Sequence, residues 1–473
     1  MSTLSSIPLF AAPPISERLT RPVAPAPPVR PTGVGVAVDW TQVVVLRRKA
    51  SEEITRRIGD YADQHATPMP EVDRRLMGRA VVRAVVRDYA DALTRSGQAL
   101  WGGDVEHAYA TAVEDAIFGY GRLQPLFDIP DAENIELHGC DSVVVQFGDG
   151  RREIRPPVAD SDEELIEAIR FLGESGRPPR PFDDAHPTMT LALGDRFRLH
   201  AIGFGLSYRP SITIRQHTLT QVTLGELARG GMLPEQVARL LHAAVLARMS
   251  IVVAGDQGAG KTTLLRALIA AIPENERFGT LETDYELLTH LQQGRTNMLA
   301  LQARTGLGEI SEGRRIGEWT VADLIPEALR QNLSRLIVGE VRGVEAGAMF
   351  EAMQAGAGTM STTHSHSAAS TMDRLASRVA QGGVLTVEEA FRQIAHHLHL
   401  LVHVRLIDET WRGGVRTRHV AEIRHLTGAI ENGRPITHLV YRAPDLSGRG
   451  ELLHIDASLA EQLEPFQGGW ESS

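Results

Sequence analysis

The chain has 473 residues, enough for two or more domains that each bury a core. Its single cysteine, Cys140, excludes an internal disulfide and any four-cysteine zinc module, and no apolar run approaches the roughly 18 residues of a membrane span. A formal charge of −10 argues against a strongly basic nucleic-acid binder, and the expected setting is a reducing cytoplasm.

Residues 1–35 carry eight prolines among small side chains, from Pro8 to Pro31, and read as a flexible tail. Residues 36–118 read as helical: Val82, Val85, Val86, Tyr89 and Leu93 repeat at the spacing of one helix face. Between 119 and 218 the period shifts towards two. Val143–Phe147 and Thr188–Leu193 each run into a Gly-Asp turn, with a helix over Glu163–Leu172 between them, which predicts a compact α+β domain with a small antiparallel sheet. Residues 219–445 alternate strands and helices, as a parallel α/β sheet requires, and 446–473 read as a C-terminal tail.

Only two residues are lysine, Lys49 and Lys261, against a large excess of arginine. Lys261 lies in Gly255-Asp256-Gln257-Gly258-Ala259-Gly260-Lys261-Thr262, the G-x-x-x-x-G-K-T pattern of a phosphate-binding loop. The flanks fit, since Ile251–Ala254 reads as a buried strand and the segment from Thr263 as the start of a helix. Backbone N–H groups from Gly255 to Thr263 would face the phosphates, with Lys261 near the β/γ oxygens and the Thr262 hydroxyl on Mg²⁺.

Three further apolar runs end on residues that phosphate chemistry can use. Phe278–Leu281 leads to Glu282, Leu336–Gly339 to Glu340, and Thr359–Thr363 to His364. Ligands of an open parallel sheet bind beyond the carboxyl ends of its strands, so all four endings could line one site. Nucleotide hydrolysis needs a carboxylate to orient water and another near the metal, and Glu282 and Glu340 can divide that work. His396, His397, His399 and His403 form a second cluster, which reads as a mixed polar surface or interface.

Residues from about 105 to 445 resemble the CpaF/TadA-type ATPases of the type II/IV secretion superfamily. Thr280–Leu287 is similar to the aspartate box, Leu336–Gly343 to the Walker B signature with glutamate in place of aspartate, and Gly358–Ser365 to the histidine box. Gly119–Leu126 resembles the entry to the family's N-terminal domain. The resemblance implies a RecA-like P-loop NTPase motor domain, preceded by a smaller α+β domain and N-terminal helices. It implies an ATP hydrolase, with ATP and Mg²⁺ as cofactors, that powers Flp-type pilus assembly or protein secretion, or a conjugation-type channel. Lys261, Glu282, Glu340 and His364 would be catalytic: Glu282 as the base, Glu340 holding Mg²⁺ through water, and His364 sensing the γ-phosphate. Arg198 and Arg215 would reach the nucleotide from the N-terminal domain, and Arg304, Arg330, Arg335 and Arg342 would be candidates for charge stabilisation. The implied partners are further copies in a hexameric ring and an inner-membrane platform, with the chain at the cytoplasmic face and no direct nucleic-acid contact. The pattern departs from the family where Thr283 follows Glu282 and the next acid is Asp284.

Overall fold

The computed structural model describes residues 38–443 and 454–467, apart from short breaks at 66, 98–99, 177–178, 195, 218, 293, 305, 307–308, 312–313, 342, 344, 355–357, 382 and 384. The proline-rich tail and Arg342 therefore lie outside the described residues, as do 446–453 and 468–473, half of the expected C-terminal tail. The chain forms two compact units, Met1–Arg122 and Leu123–Ser473. Among the described residues no helix is long and apolar enough to cross a membrane.

Among the described residues the first unit contains three α-helices, α1 (Trp40–His65), α2 (Glu71–Arg95) and α3 (Gly103–Phe118). Each buries one stripe: Val43, Leu46, Ala50 and Ile54 from α1, Val81, Val82 and Val86 from α2, and Tyr109, Val113 and Ala116 from α3. Val82 and Val86 thus form the centre of the stripe read from the sequence, with Val85 and Tyr89 packed at its edge. A Cβ on Gly78 would lie 2.3 Å from the Phe118 ring, so α2 and α3 pack closely there because that residue is glycine.

Among the described residues the second unit holds two large sheets and a small hairpin. The first is antiparallel, in the order β3-β2-β1-β6-β5-β4, and comprises β1 (Ala132–His138), β2 (Val143–Phe147), β3 (Arg152–Arg155), β4 (Thr188–Leu193), β5 (Phe197–Ile202) and β6 (Ser211–Gln216). Alternate residues such as Ile135, Leu137, Leu199, Ala201, Ile212 and Ile214 are buried. The helix α4 (Asp162–Ser175) starts at Ser161, whose hydroxyl accepts from Glu164 N, and buries Leu165, Ile169 and Leu172. This sheet has six strands where the sequence reading identified two.

The second sheet is the larger α/β layer. Its strands are β7 (Ile251–Gly255), β8 (Phe278–Glu282), β9 (Met298–Gln302), β12 (Arg335–Val338), β13 (Met360–His364), β14 (Leu400–Asp408), β15 (Arg416–Glu431) and β16 (Arg434–Arg442). They run in the order β16-β15-β14-β7-β13-β12-β8-β9, and a small separate hairpin, β10 (Ile310–Ser311) and β11 (Arg314–Arg315), precedes β12. All pairs from β14 to β9 are parallel, while β15 and β16 extend one edge antiparallel. Helices cover both faces. On one lie α5 (Leu224–Arg229), α6 (Glu235–Leu246) and α7 (Lys261–Ala270), packed on Ile251 and Val253. On the other lie α8 (Val321–Leu329), α9 (Glu345–Gln354), α10 (Ala368–Gln381) and α11 (Val387–His397), packed on Val252 and Ala254. A strand buried on both faces must be apolar throughout, which is why β7 reads Ile-Val-Val-Ala. A last helix, α12 (Ala457–Leu463), returns to the first face through Leu459 and Leu463. The chain is thus α/β, with a second, smaller sheet and N-terminal helices.

Candidate functional site

Sheet order determines what can meet. The neighbours β7, β13, β12 and β8 are parallel, so their carboxyl ends bring the turn after Gly255, His364, Glu340 and Glu282 to one edge. His364 pairs directly with Gly255, and Val338 with Leu281.

The turn after β7 needs its glycines. Gly258 and Gly260 hold φ of 74° and 92°, the left-handed region that glycine adopts without strain, and α7 begins at the next residue, Lys261. A Cβ at Gly258 would come within 3.3 Å of Arg416 Nη2, and one at Gly260 within 3.3 Å of Met232 Cε. The turn is therefore closely packed from outside as well as specified by its backbone.

Lys261 is only 7% exposed. Its ammonium donates to the Asp256 carbonyl at 2.9 Å and to His364 Nδ1 at 3.2 Å. An ammonium has no lone pair, so Nδ1 is the acceptor and the neutral imidazole carries its proton on Nε2. That nitrogen lies 2.9 Å from Glu340 Oε1. Lys261, His364 and Glu340 thus form a continuous polar line across three strand ends.

Glu282 is 3% exposed. Its Oε1 accepts from the backbone N–H groups of Glu286 at 2.9 Å and Leu287 at 2.7 Å, whereas its buried Oε2 has no hydrogen-bond partner. Burial pushes the carboxyl up to about 7, against the opposing pull of the two backbone donors. Glu282, Glu340, Gly339 and Thr262 line one cleft together with Arg198, Thr283, Asp284 and Glu286.

Arg198 reaches this cleft from β5 of the smaller sheet. Its Nη2 lies 2.8 Å from Asp284 Oδ2, and its Nη1 donates to Glu286. The acid displaced by one position, Asp284, therefore faces the cleft and has a partner. Arg215 lies opposite Arg198 on β6; burial makes His217 and Arg266 less basic, and the nearby Arg215 charge adds to that.

Arg335, Arg330 and Arg304 are not brought to the cleft. Arg335 opens β12 at its amino end, 1% exposed, with its fork on Glu276 at 2.8 and 3.1 Å. A charge-stabilising role for Arg335 does not fit that position, since it stands at the opposite end of the strand from Glu340. Arg330 is exposed at the end of α8 and bonds Glu327, and exposed Arg304 donates to the Gly317 carbonyl at 2.7 Å. The expected histidine cluster is dispersed. His399 accepts from Ser250 N, His403 contacts the Ser365 carbonyl, and burial pushes His397, His399 and His403 down.

Two residues that the sequence reading overlooked lie over the glycine-rich turn. Arg418, on β15, donates Nε to the Gly258 carbonyl at 2.7 Å, Nη1 to the Gly148 carbonyl at 3.0 Å and Nη2 to both oxygens of Glu133 at 2.7 Å. Arg416 is 3.4 Å from Glu133 and 3.7 Å from Asp408. Glu133 and Gly148 belong to the smaller sheet and its turn, so Arg418 joins that sheet to the phosphate loop. The signal was the i, i+2 spacing of Arg416 and Arg418, which puts both on one face of a strand.

A family model described as "Type II/IV secretion system protein" matches residues 180–427. A Mycobacterium tuberculosis protein named for conjugal transfer is 30% identical over 338 residues, covering 70% of this chain and 92% of its own. The conjugal transfer protein TrbB of Rhizobium radiobacter is 28% identical over 233 residues, 48% of this chain and 64% of its own. Among solved structures, the VirB11 ATPase of the Brucella suis type IV secretion system aligns with 64% of this chain and 92% of its own, at 24% identity and a TM-score of 0.33.

Proposed function

The chain belongs to the type II/IV secretion system protein family, and we propose that it is an ATPase, the hydrolytic motor of a membrane-embedded secretion or pilus machine. The observation that carries this reading is the meeting of Lys261, His364, Glu340 and the unpartnered Glu282 oxygen beside a glycine-rich turn.

In this reading the turn from Gly255 to Thr263 cradles the phosphates of ATP, and Lys261 leaves the Asp256 carbonyl and His364 to meet the β/γ oxygens. The potential ligands at the cleft, two hydroxyls and several carboxylates, are all oxygen and suit Mg²⁺. Thr262 and, through water, Glu340 would hold the ion, which neutralises charge between the β- and γ-phosphates when bound. Glu282 takes the proton of the attacking water on its free oxygen, while the N–H groups of Glu286 and Leu287 hold the other oxygen in place. His364 reports the state of the phosphate to Glu340, because its two nitrogens face Lys261 and Glu340. Arg198 and Arg215 connect nucleotide occupancy to the smaller sheet, giving binding and release different contacts with it. Arg304, Arg330 and Arg342 are reserved for contacts with a neighbouring copy in a ring.

Two services are consistent with such a motor. The motif resemblance points to pilus assembly, and the names of the relatives point to a conjugation-type channel. Deleting the gene and scoring both surface pili and DNA transfer separates them. The hydrolytic reading itself is tested by phosphate release from ATP with the purified chain, with and without chelation of Mg²⁺. Magnesium-dependent turnover is expected; binding of ATP without turnover, alone or with membranes, would replace the motor with a nucleotide-gated scaffold.

A further inference from the structure

Away from the cleft, on the antiparallel edge of the large sheet, β15 and β16 place His425 directly opposite His438. Residues directly opposite on paired strands project to the same face, so the two imidazoles stand side by side. Asp456, which caps α12, meets them from a third element. Its Oδ2 is 2.7 Å from His425 Nδ1 and 3.3 Å from His438 Nδ1, and the three ligand atoms all lie within 4.8 Å of one another. Its Oδ1 accepts from Leu459 N at 3.1 Å, which fixes the carboxylate's orientation in the way second-shell donors fix metal ligands. The histidine side chains differ in access: His425 is 2% exposed and His438 48%.

We propose that His425, His438 and Asp456 form a binding site for a zinc-type divalent cation that staples the C-terminal helix to the sheet. The donor set decides the class of ion. Two neutral imidazoles and one carboxylate suit zinc or cobalt, whereas calcium and magnesium prefer oxygen throughout. Tetrahedral ligands about 2.0 to 2.1 Å from zinc stand roughly 3.3 Å apart. The Asp456–His438 separation already has that value, and the Asp456–His425 contact has to open by about half an ångström to reach it. The half-exposed side of His438 leaves the fourth position to water. The consequence is structural: Asp456 begins the helix whose Leu459 and Leu463 fill the core over α6, so the ion would tie the last described helix to the motor layer. This site is remote from the phosphate loop and does not rest on the ATPase reading.

Cobalt is the probe, because zinc is spectroscopically silent. The chelator-treated full-length protein is titrated with Co²⁺ and read by visible absorption, followed by displacement with Zn²⁺ and by limited proteolysis of the C-terminal segment. One equivalent with tetrahedral-type absorption is expected, together with slower cleavage after residue 443 when metal is bound. His438→Ala, at a half-exposed position that leaves the fold intact, should weaken binding at least about tenfold, and Asp456→Asn should do the same. Absence of a tetrahedral cobalt spectrum in the wild type would overturn the proposal. So would a cobalt site that survives His438→Ala unchanged, since the ion would then sit on other histidines. In either case the trio is a hydrogen-bonded latch only.

Discussion

Glu282→Gln tests the carboxyl to which the proposed mechanism assigns the base role, and it makes two opposite demands of one substitution. The carboxyl is held at about 7 instead of its ordinary 4.5, because burial penalises its ionised form. A carboxyl raised in this way lowers stability as pH climbs: the fold loses nothing below pH 4.5, and the loss grows until the folded group ionises near 7. At pH 8 the ionised group costs about 3 kcal/mol, and at pH 5 about 1 kcal/mol. Glutamine keeps the side-chain oxygen that Glu286 N and Leu287 N can address and removes the charge. Any pH-independent cost of its amide cancels between the two conditions. The difference in stabilisation between pH 8 and pH 5 is therefore expected to be roughly 2 to 3 kcal/mol in favour of the glutamine variant. Calorimetry of nucleotide-free protein at both values reads it, with phosphate release measured alongside. The variant should bind ATP and not hydrolyse it, and wild-type turnover should rise with pH through about 7 as Glu282 ionises. A stability gain that is equal at the two pH values would refute the buried, elevated carboxyl. Turnover in the glutamine variant within twofold of wild type would remove Glu282 from the base role.

Lys261→Arg retains the charge but puts a planar fork into a nearly closed site, and should lower turnover at least about a hundredfold; a steady-state assay near wild-type rate would discard the argument from shape. Arg198→Ala leaves Asp284 and Glu286 without their shared partner and should reduce kcat/KM for ATP about tenfold or more, while thermal unfolding moves little. Arg418→Ala breaks the link from the smaller sheet to the Gly258 carbonyl, and Glu133→Gln removes its charged anchor. Each should weaken binding of a fluorescent ATP analogue, and the double variant should be no weaker than the poorer single; simple additivity would show that the two act separately.

The strand ends were legible because strands buried on both faces are apolar runs and each run stops where the chemistry starts, as at Gly255, Glu282, Glu340 and His364. That those ends could share one edge followed from the rule for parallel sheets, but which strand neighbours which did not, since the order β7-β13-β12-β8 depends on crossovers that no local pattern records. Arg335 illustrates the cost of reading by sequence distance. It stands five residues from Glu340, but a strand advances about 3.3 Å per residue, so the two lie roughly 16 Å apart at opposite ends. The ribbon β15–β16 escaped notice for another reason: its outer face is rich in arginine and histidine, so it lacks the apolar run that betrays a central strand. Both Arg418 and the His425–His438 pair belong to that ribbon.

The distribution of cations around the phosphate loop follows from the same geometry. Arginine serves where a fork spans several fixed acceptors, as Arg418 does across Gly258, Gly148 and Glu133, and Arg198 across Asp284 and Glu286. These links hold two sheets in one arrangement and gain from rigidity. In the proposed mechanism Lys261 has a different task, because its ammonium rests on a carbonyl and an imidazole and would exchange both for phosphate oxygens. A compact charge on a flexible stem can make that exchange without redirecting a plane of donors through a site that is 7% exposed. In that mechanism the surrounding arginines position the loop, and the lysine moves with the nucleotide.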